Sequence, residues 1–193
     1  MRYTLTFFLV IATALSFAQS FYQLENIDIP DDGTSIMFEM NVSGLPTTID
    51  GDFGLESVCF NINHTWDSDI DVLLIAPDGS SFVLVSGVGW AAVNFENTCF
   101  NSFADVFISD GIGPFTGEWK PIGDMGAVNN GQNPNGIWKL YVYDTWAFAD
   151  AGFMIDWSIT FKYFKCYPTD EKSIGHWISL SFSRRYHGGL FPN

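Results

Sequence analysis

The chain has 193 residues, with 22 Asp and Glu against 8 Lys and Arg and a formal net charge of −14. That acidity excludes a nucleic-acid binder, because phosphate contacts need a basic footprint. A hydrophobic share of 47% and an aromatic share of 17% exclude a disordered chain, since that much apolar surface can build a core.

Residues 1–18 read as a secretory signal peptide. Arg2 supplies the cationic start, Leu5 to Phe17 the apolar stretch, and Ser16 and Ala18 the small residues that precede cleavage before Gln19. A membrane anchor is the alternative. The run is shorter than the roughly 20 residues a spanning helix needs, however, and polar Gln19-Ser20 follows at once. The expected product is secreted, extracellular or periplasmic, with no membrane span after cleavage. Gln19 to Phe161 is close to the commonest length of a domain. In it twenty carboxylates face only Lys120 and Lys139. Such a surface keeps a protein soluble by self-repulsion, or offers carboxylates to Ca²⁺.

After the turn Pro30-Asp31-Asp32-Gly33, Ile36, Phe38, Met40 and Val42 alternate with Met37, Glu39 and Asn41, which predicts a strand with one buried face. It lies in an N-terminal segment, 19–54. Cys59 to Asn63 and Asp71 to Ile75 predict two more strands, and Pro77-Asp78-Gly79 turns the chain into Phe82 to Val85. Gly87 to Asn101 reads as a long loop or meander, and Val106 to Ile108 as a short strand. The Gly-, Pro- and Asn-rich stretch Gly113 to Asn135 reads as an ordered surface crossover. Trp138, Leu140 and Val142 predict the next strand. Ile155, Trp157, Ile159 and Phe161 predict the last, alternating with Asp156, Ser158 and Thr160. About eight short strands at this spacing mean an all-β sandwich or barrel. Residues 162–193 break the pattern: they are basic, hold two of the three histidines, and read as an atypical tail.

Of the three cysteines, Cys59 and Cys99 lie among the strands and Cys166 lies in the tail. In an exported protein the first two are expected to pair, with two buried free thiols as the alternative. Catalysis by a serine triad needs an activated Ser, a His and an orienting Asp. The body has a single histidine, His64, without a second His or Cys at metal-ligand spacing, and it reads as a hydrogen-bonded structural residue. No catalytic residue is assigned. Trp66, Trp138 and Trp157 fall in strands or at their ends and read as packing.

Several short strings occur in a specific order: His64-Thr65-Trp66 with Asp69, then Leu74-Ile75-Ala76-Pro77-Asp78-Gly79, then Phe115-Thr116-Gly117-Glu118-Trp119-Lys120-Pro121. Asn135-Gly136-Ile137-Trp138-Lys139-Leu140 follows, and Asp144 and Gly152 precede Trp157-Ser158-Ile159-Thr160-Phe161. Over residues 55–161 this series resembles the P domain, or Homo B domain, of proprotein convertases, the module that follows a subtilisin-like catalytic domain. The resemblance implies a jelly-roll β-sandwich of the galactose-binding-domain type, with about eight antiparallel strands. It implies a structural role for His64, and a non-catalytic module whose partner is a protease or another cell-surface protein. A fragment or divergent member of a subtilisin-like serine endopeptidase is the alternative, and a carbohydrate-binding jelly roll the third.

The resemblance also aligns Asp69 with the family's acidic residue after the His-Thr-aromatic motif, and Asp144 and Asp150 with its Asp-bearing loop. If these loops meet, Asp67, Asp69, Asp144 and Asp150 would supply oxygens to a calcium ion, which takes about 6 to 8 of them. The alternative is solvated loop acids, since Asp favours turns.

Overall fold

The structure, a computed structural model, describes residues 18–149 and 151–164. Expectations placed on residues 1–17, on Asp150 and on residues 165–193, including the leader up to Phe17, one candidate calcium ligand, Cys166 and the basic tail beyond Phe164, lie outside the described residues.

Among the described residues nine strands form: β1 (Ala18–Ile29), β2 (Ser35–Val42), β3 (Phe53–His64), β4 (Ile70–Ile75), β5 (Ser81–Val85), β6 (Phe95–Asn101), β7 (Gly117–Trp119), β8 (Gly136–Asp144) and β9 (Gly152–Tyr163). They make two sheets, ordered β1-β9-β3-β6-β7 and β2-β8-β4-β5. Every pair of neighbours is antiparallel except β6 and β7, which run parallel from Thr98↔Gly117 to Phe100↔Trp119. The fold is a β-sandwich. Its core lies between the sheets, where Phe38, Met40 and Val42 of β2 and Trp138, Leu140 and Val142 of β8 face Val58, Phe60 and Ile62 of β3 and Trp157, Ile159 and Phe161 of β9. Trp138 meets Phe161 edge-on with centroids 5.4 Å apart, and Phe60 is flanked by Phe95 and Phe100. Each fully buried side chain of this size contributes about 1.5–3 kcal/mol relative to exposure.

Four expectations are corrected. The stretch Gly87–Asn101 is not all loop, since it ends in β6. Val106–Ile108 is not a strand: Phe107 makes one isolated bridge to Lys120, and Ile108–Asp110 is a 3₁₀ turn. The crossover Gly113–Asn135 does not simply cover the surface, because it contains β7 and buries Phe115, Met125 and Val128. In β9 the register shifts against β3 between Asn61 and Ile62, so Met154 rather than Ile155 faces the core.

Cys59 and Cys99 stand directly opposite each other on β3 and β6, with Cα atoms 4.0 Å apart, and their sulfurs are bonded. His64 closes β3 opposite Gly152, and Asp144 closes β8 opposite Ile70. Those two pairings bring the candidate residues to one end of the sandwich.

Candidate functional site

Connections from both sheets meet at this end. The β3–β4 connection carries a 3₁₀ turn, Asp67–Asp69. Its backbone is tied to the β5–β6 loop, as the Asp67 amide donates to the Ala92 carbonyl at 2.8 Å and the Asn94 amide to the His64 carbonyl at 3.2 Å. It is tied to the β8–β9 loop as well, where the Thr145 amide donates to the Asp69 carbonyl at 2.7 Å. The two Asp-bearing loops therefore meet.

His64 occupies their junction and is buried. The Trp66 amide donates to its Nδ1 at 3.1 Å, and the protonated Nε2 donates to Asp144 Oδ2 at 3.1 Å. The same Nδ1 lies 2.9 Å from the Trp66 carbonyl. Asp144 Oδ1 accepts from the Trp146 amide at 3.0 Å, so both of its oxygens are engaged. A general base needs a ring nitrogen free to face a nucleophile. His64 spends one on its own loop and the other on a buried carboxylate.

Asp67 differs. Its side chain is fully buried, yet among the described residues neither carboxylate oxygen has a hydrogen-bond partner. Burial pushes its pKa up from the usual 3.8 to about 6, while the neighbouring His64 and the nearby Asn94 amide, itself bonded to the His64 carbonyl, pull it back down. Two glycines make room for this carboxylate. A Cβ on Gly89, whose φ is +91°, would lie 3.0 Å from Asp67 Cβ and 2.7 Å from the Phe115 ring. A Cβ on Gly113 would lie 2.4 Å from Ala92 Cβ and 3.2 Å from Asp67 Oδ2.

Asp67 and Asp144 thus flank one imidazole, and Asp69 reaches the junction through its carbonyl, its Oδ1 accepting from the Ser68 hydroxyl at 3.2 Å. Among the described residues no group of three or more His, Cys, Asp and Glu gathers as a metal shell.

Sequence reasoning missed the rim of this site. Trp90, Ile112, Trp146 and Phe148 are all more than 60% exposed there, and Trp66 and Val93 are partly so. Trp90 and Phe148 hold φ at 51° and 65°, a region that bulky residues enter only when the surroundings force it. The forcing contacts are the Ser68 amide on the Trp90 carbonyl and the Phe148 amide on the Asp31 carbonyl. The signal in the sequence was the density of aromatics in predicted loops.

The family description Proprotein convertase P-domain matches residues 56–161. The chain belongs to the P-domain family. A curated relative, leupeptin-inactivating enzyme 1 of Streptomyces exfoliatus, is 29% identical over 149 residues, which cover 74% of this chain and 26% of the relative. Two solved structures of the Aeromonas sobria serine protease also match at 17% identity. The complex with its chaperone gives a TM-score of 0.46 over 80% of this chain and 28% of that one; the protease alone gives 0.41 over 79% and 28%. The chain spans about a quarter of the length of the curated relative. The P domain is an accessory module of subtilisin-like proteases, and among the described residues of this one no Ser–His–Asp constellation is assembled. Among those residues, too, no helix is long and apolar enough to cross a membrane.

Proposed function

We propose that this P domain is a secreted, non-catalytic module that packs against a subtilisin-like catalytic domain and supports its folding and stability. The observation that carries the reading is the family match over 56–161, joined to a His64 whose ring nitrogens are both engaged in holding loops together. The proposed docking face is the aromatic rim. Exposed apolar side chains grouped at one end mark contact surfaces, and strained backbone recurs where a loop must present a side chain. The loops around that rim carry Asp31, Asp32 and Asp69 and no Lys or Arg, so a partner face with basic residues fits it.

The test begins with the reading frames flanking the gene. A frame encoding the triad is expected, and its catalytic domain should be recovered soluble and active when co-expressed with this chain. Equal recovery without the chain, or with Trp90→Ser and Phe148→Ser together, would overturn the docking reading. A triad frame also keeps alive the second reading, that this chain is a separated part of a subtilisin-like serine endopeptidase, which the family match supports. The exposed Trp90 and Trp146 rings favour a third reading, carbohydrate binding, which a glycan array tests. Unrelated neighbouring frames would leave a free-standing module for another surface protein.

Calcium at the loop junction belongs to the same proposal, and its support is the pair of unpartnered, buried Asp67 oxygens. A hard cation satisfies such oxygens. Calorimetry in EDTA and in millimolar Ca²⁺ should show a higher melting temperature with the ion. The increment corresponds to roughly 2.7 kcal/mol at a hundredfold excess over the dissociation constant. Mg²⁺ should do much less, and Asp67→Asn should abolish the increment. Superimposable curves would remove the site.

A further inference from the structure

Away from the loop junction, the connection between β6 and the 3₁₀ turn Met125–Ala127 lines an open cavity of about 350 Å³. Phe107, Pro121, Ile122 and Met125 give it apolar walls, and Ser102 and Lys120 give it a hydroxyl and an ammonium. The walls are held from behind. The Lys120 amide donates to the Val106 carbonyl at 2.8 Å and the Ile108 amide to the Lys120 carbonyl at 3.0 Å, while the amides of Ile122 and Gly123 donate to Leu84 and Val83 of β5. Gly123 approaches β5 so closely that a Cβ there would lie 2.8 Å from the Val83 nitrogen. A site fixed this way does not need to be ordered when a ligand arrives.

Lys120 is the anomaly. The described residues contain three lysines. Lys139 pairs with Glu39 at 3.0 Å and Lys162 pairs with Glu56. Lys120, in a body where carboxylates outnumber lysines so heavily, has no ion pair among the described residues, and its Nζ stands 5.5 Å from the centroid of the Phe107 ring. Asp124 also lines the cavity, but its Oδ1 accepts the Gly126 amide at 2.8 Å and caps the Met125–Ala127 turn. Phe107 and Ile122 remain partly exposed at the mouth. An ammonium beside apolar walls matches a ligand that carries a carboxylate and an apolar group on one short frame. The volume is at the small end of ligand pockets, which run from roughly 300 to 1,000 Å³, and so admits about one residue.

We propose that this cavity binds the C-terminal residue of a peptide, with the carboxylate on Lys120 Nζ and an apolar side chain between Phe107, Pro121, Ile122 and Met125. A chain terminus supplies charge and apolar arm from the same residue, whereas an internal Asp or Glu brings the charge without the arm. The inference stands apart from the loop junction and from the protease reading.

The experiment is an NMR titration of the full chain with three probes: N-acetyl-phenylalanine, its C-terminal amide, and N-acetyl-aspartate α-amide. N-acetyl-phenylalanine should shift the resonances of Phe107, Ile122 and Met125 in a saturable way, in the millimolar range. The phenylalanine amide and the aspartate probe should each bind at least tenfold more weakly. Lys120→Met keeps the apolar stem, and should weaken N-acetyl-phenylalanine at least tenfold while leaving the amide's binding and the melting temperature unchanged. Equal binding of acid and amide would overturn the carboxylate contact, and equal binding of the aspartate probe would overturn the assignment to a chain terminus. The absence of any saturable shift would overturn the site, as would full retention of affinity in Lys120→Met.

Discussion

A carboxylate buried without a donor is among the costlier features a fold can carry, and Asp67 is one. Its folded-state pKa, raised to about 6 from 3.8, means that the native state binds a proton more tightly than the unfolded chain does. By linkage the associated stability is fully present below pH ~4 and is lost as pH rises through ~6. Asp67→Asn replaces the charge with a neutral group of the same shape. Urea unfolding between pH 4 and pH 8 in EDTA should therefore show the variant gaining on the native chain as pH rises through 6. Parallel pH profiles for the two would refute this account of Asp67. His64 contributes differently: it is the post to which Trp66, Asp144 and, through its carbonyl, Asn94 are attached.

At the scale of elements, legibility in the sequence followed the two-residue period. The strands β2 and β8, and β9 from Trp157 onward, alternate cleanly because one of their faces is core and the other is not. β1 was hidden because its polarity is inverted: Gln23 and Glu25 point inward and half-buried, Tyr22 and Leu24 point out, and the Glu25 carboxylate accepts from Trp157 Nε1 at 3.1 Å. A strand that buries polar groups against a tryptophan N–H leaves no hydrophobic stripe to read. β6 was hidden by a bulge. Glu96 and Asn97 are both exposed, Asn97 has φ of 50°, and the register against β3 shifts between Phe60 and Ile62, so the alternation breaks in the middle of a short strand. The meeting of the two Asp-bearing loops depended on strand pairing across the sheet, which no local pattern encodes. Cys59 and Cys99 were legible as a pair from compartment and placement, and their bond fixes β6 to β3. Replacing both with Ala should lower stability by up to roughly 4 kcal/mol on the chain-entropy account, measured by urea unfolding of the oxidised parent and the variant. An unchanged midpoint would mean that the strand pairing alone holds β6.

The described residues form an acidic sandwich whose candidate sites lie at its edges. The purified chain should neither cleave peptide substrates nor react with a serine-directed fluorophosphonate probe, because labelling requires a serine with a base beside it. Stoichiometric labelling of one serine, located by peptide mapping, would contradict the accessory role. The acidity also sets how the module meets a partner: steering toward a basic face should weaken as salt is added, while the apolar contacts at the rim should not.

The first and last strands lie side by side and antiparallel, with Ala18 opposite Lys162. A load applied between Ala18 and Phe164 therefore opens the β1–β9 ladder one hydrogen bond at a time, like a zipper, instead of shearing all of its bonds at once. The domain should yield at low force, and it should not come out at full length. The covalent bridge between Cys59 and Cys99 keeps the 40-residue separation between them closed, so the released chain should fall short by roughly 140 Å at about 3.5 Å per residue. Single-molecule extension with and without a reductant reads that difference directly. Equal contour lengths in the two conditions would show that no bridge spans the pulled fold.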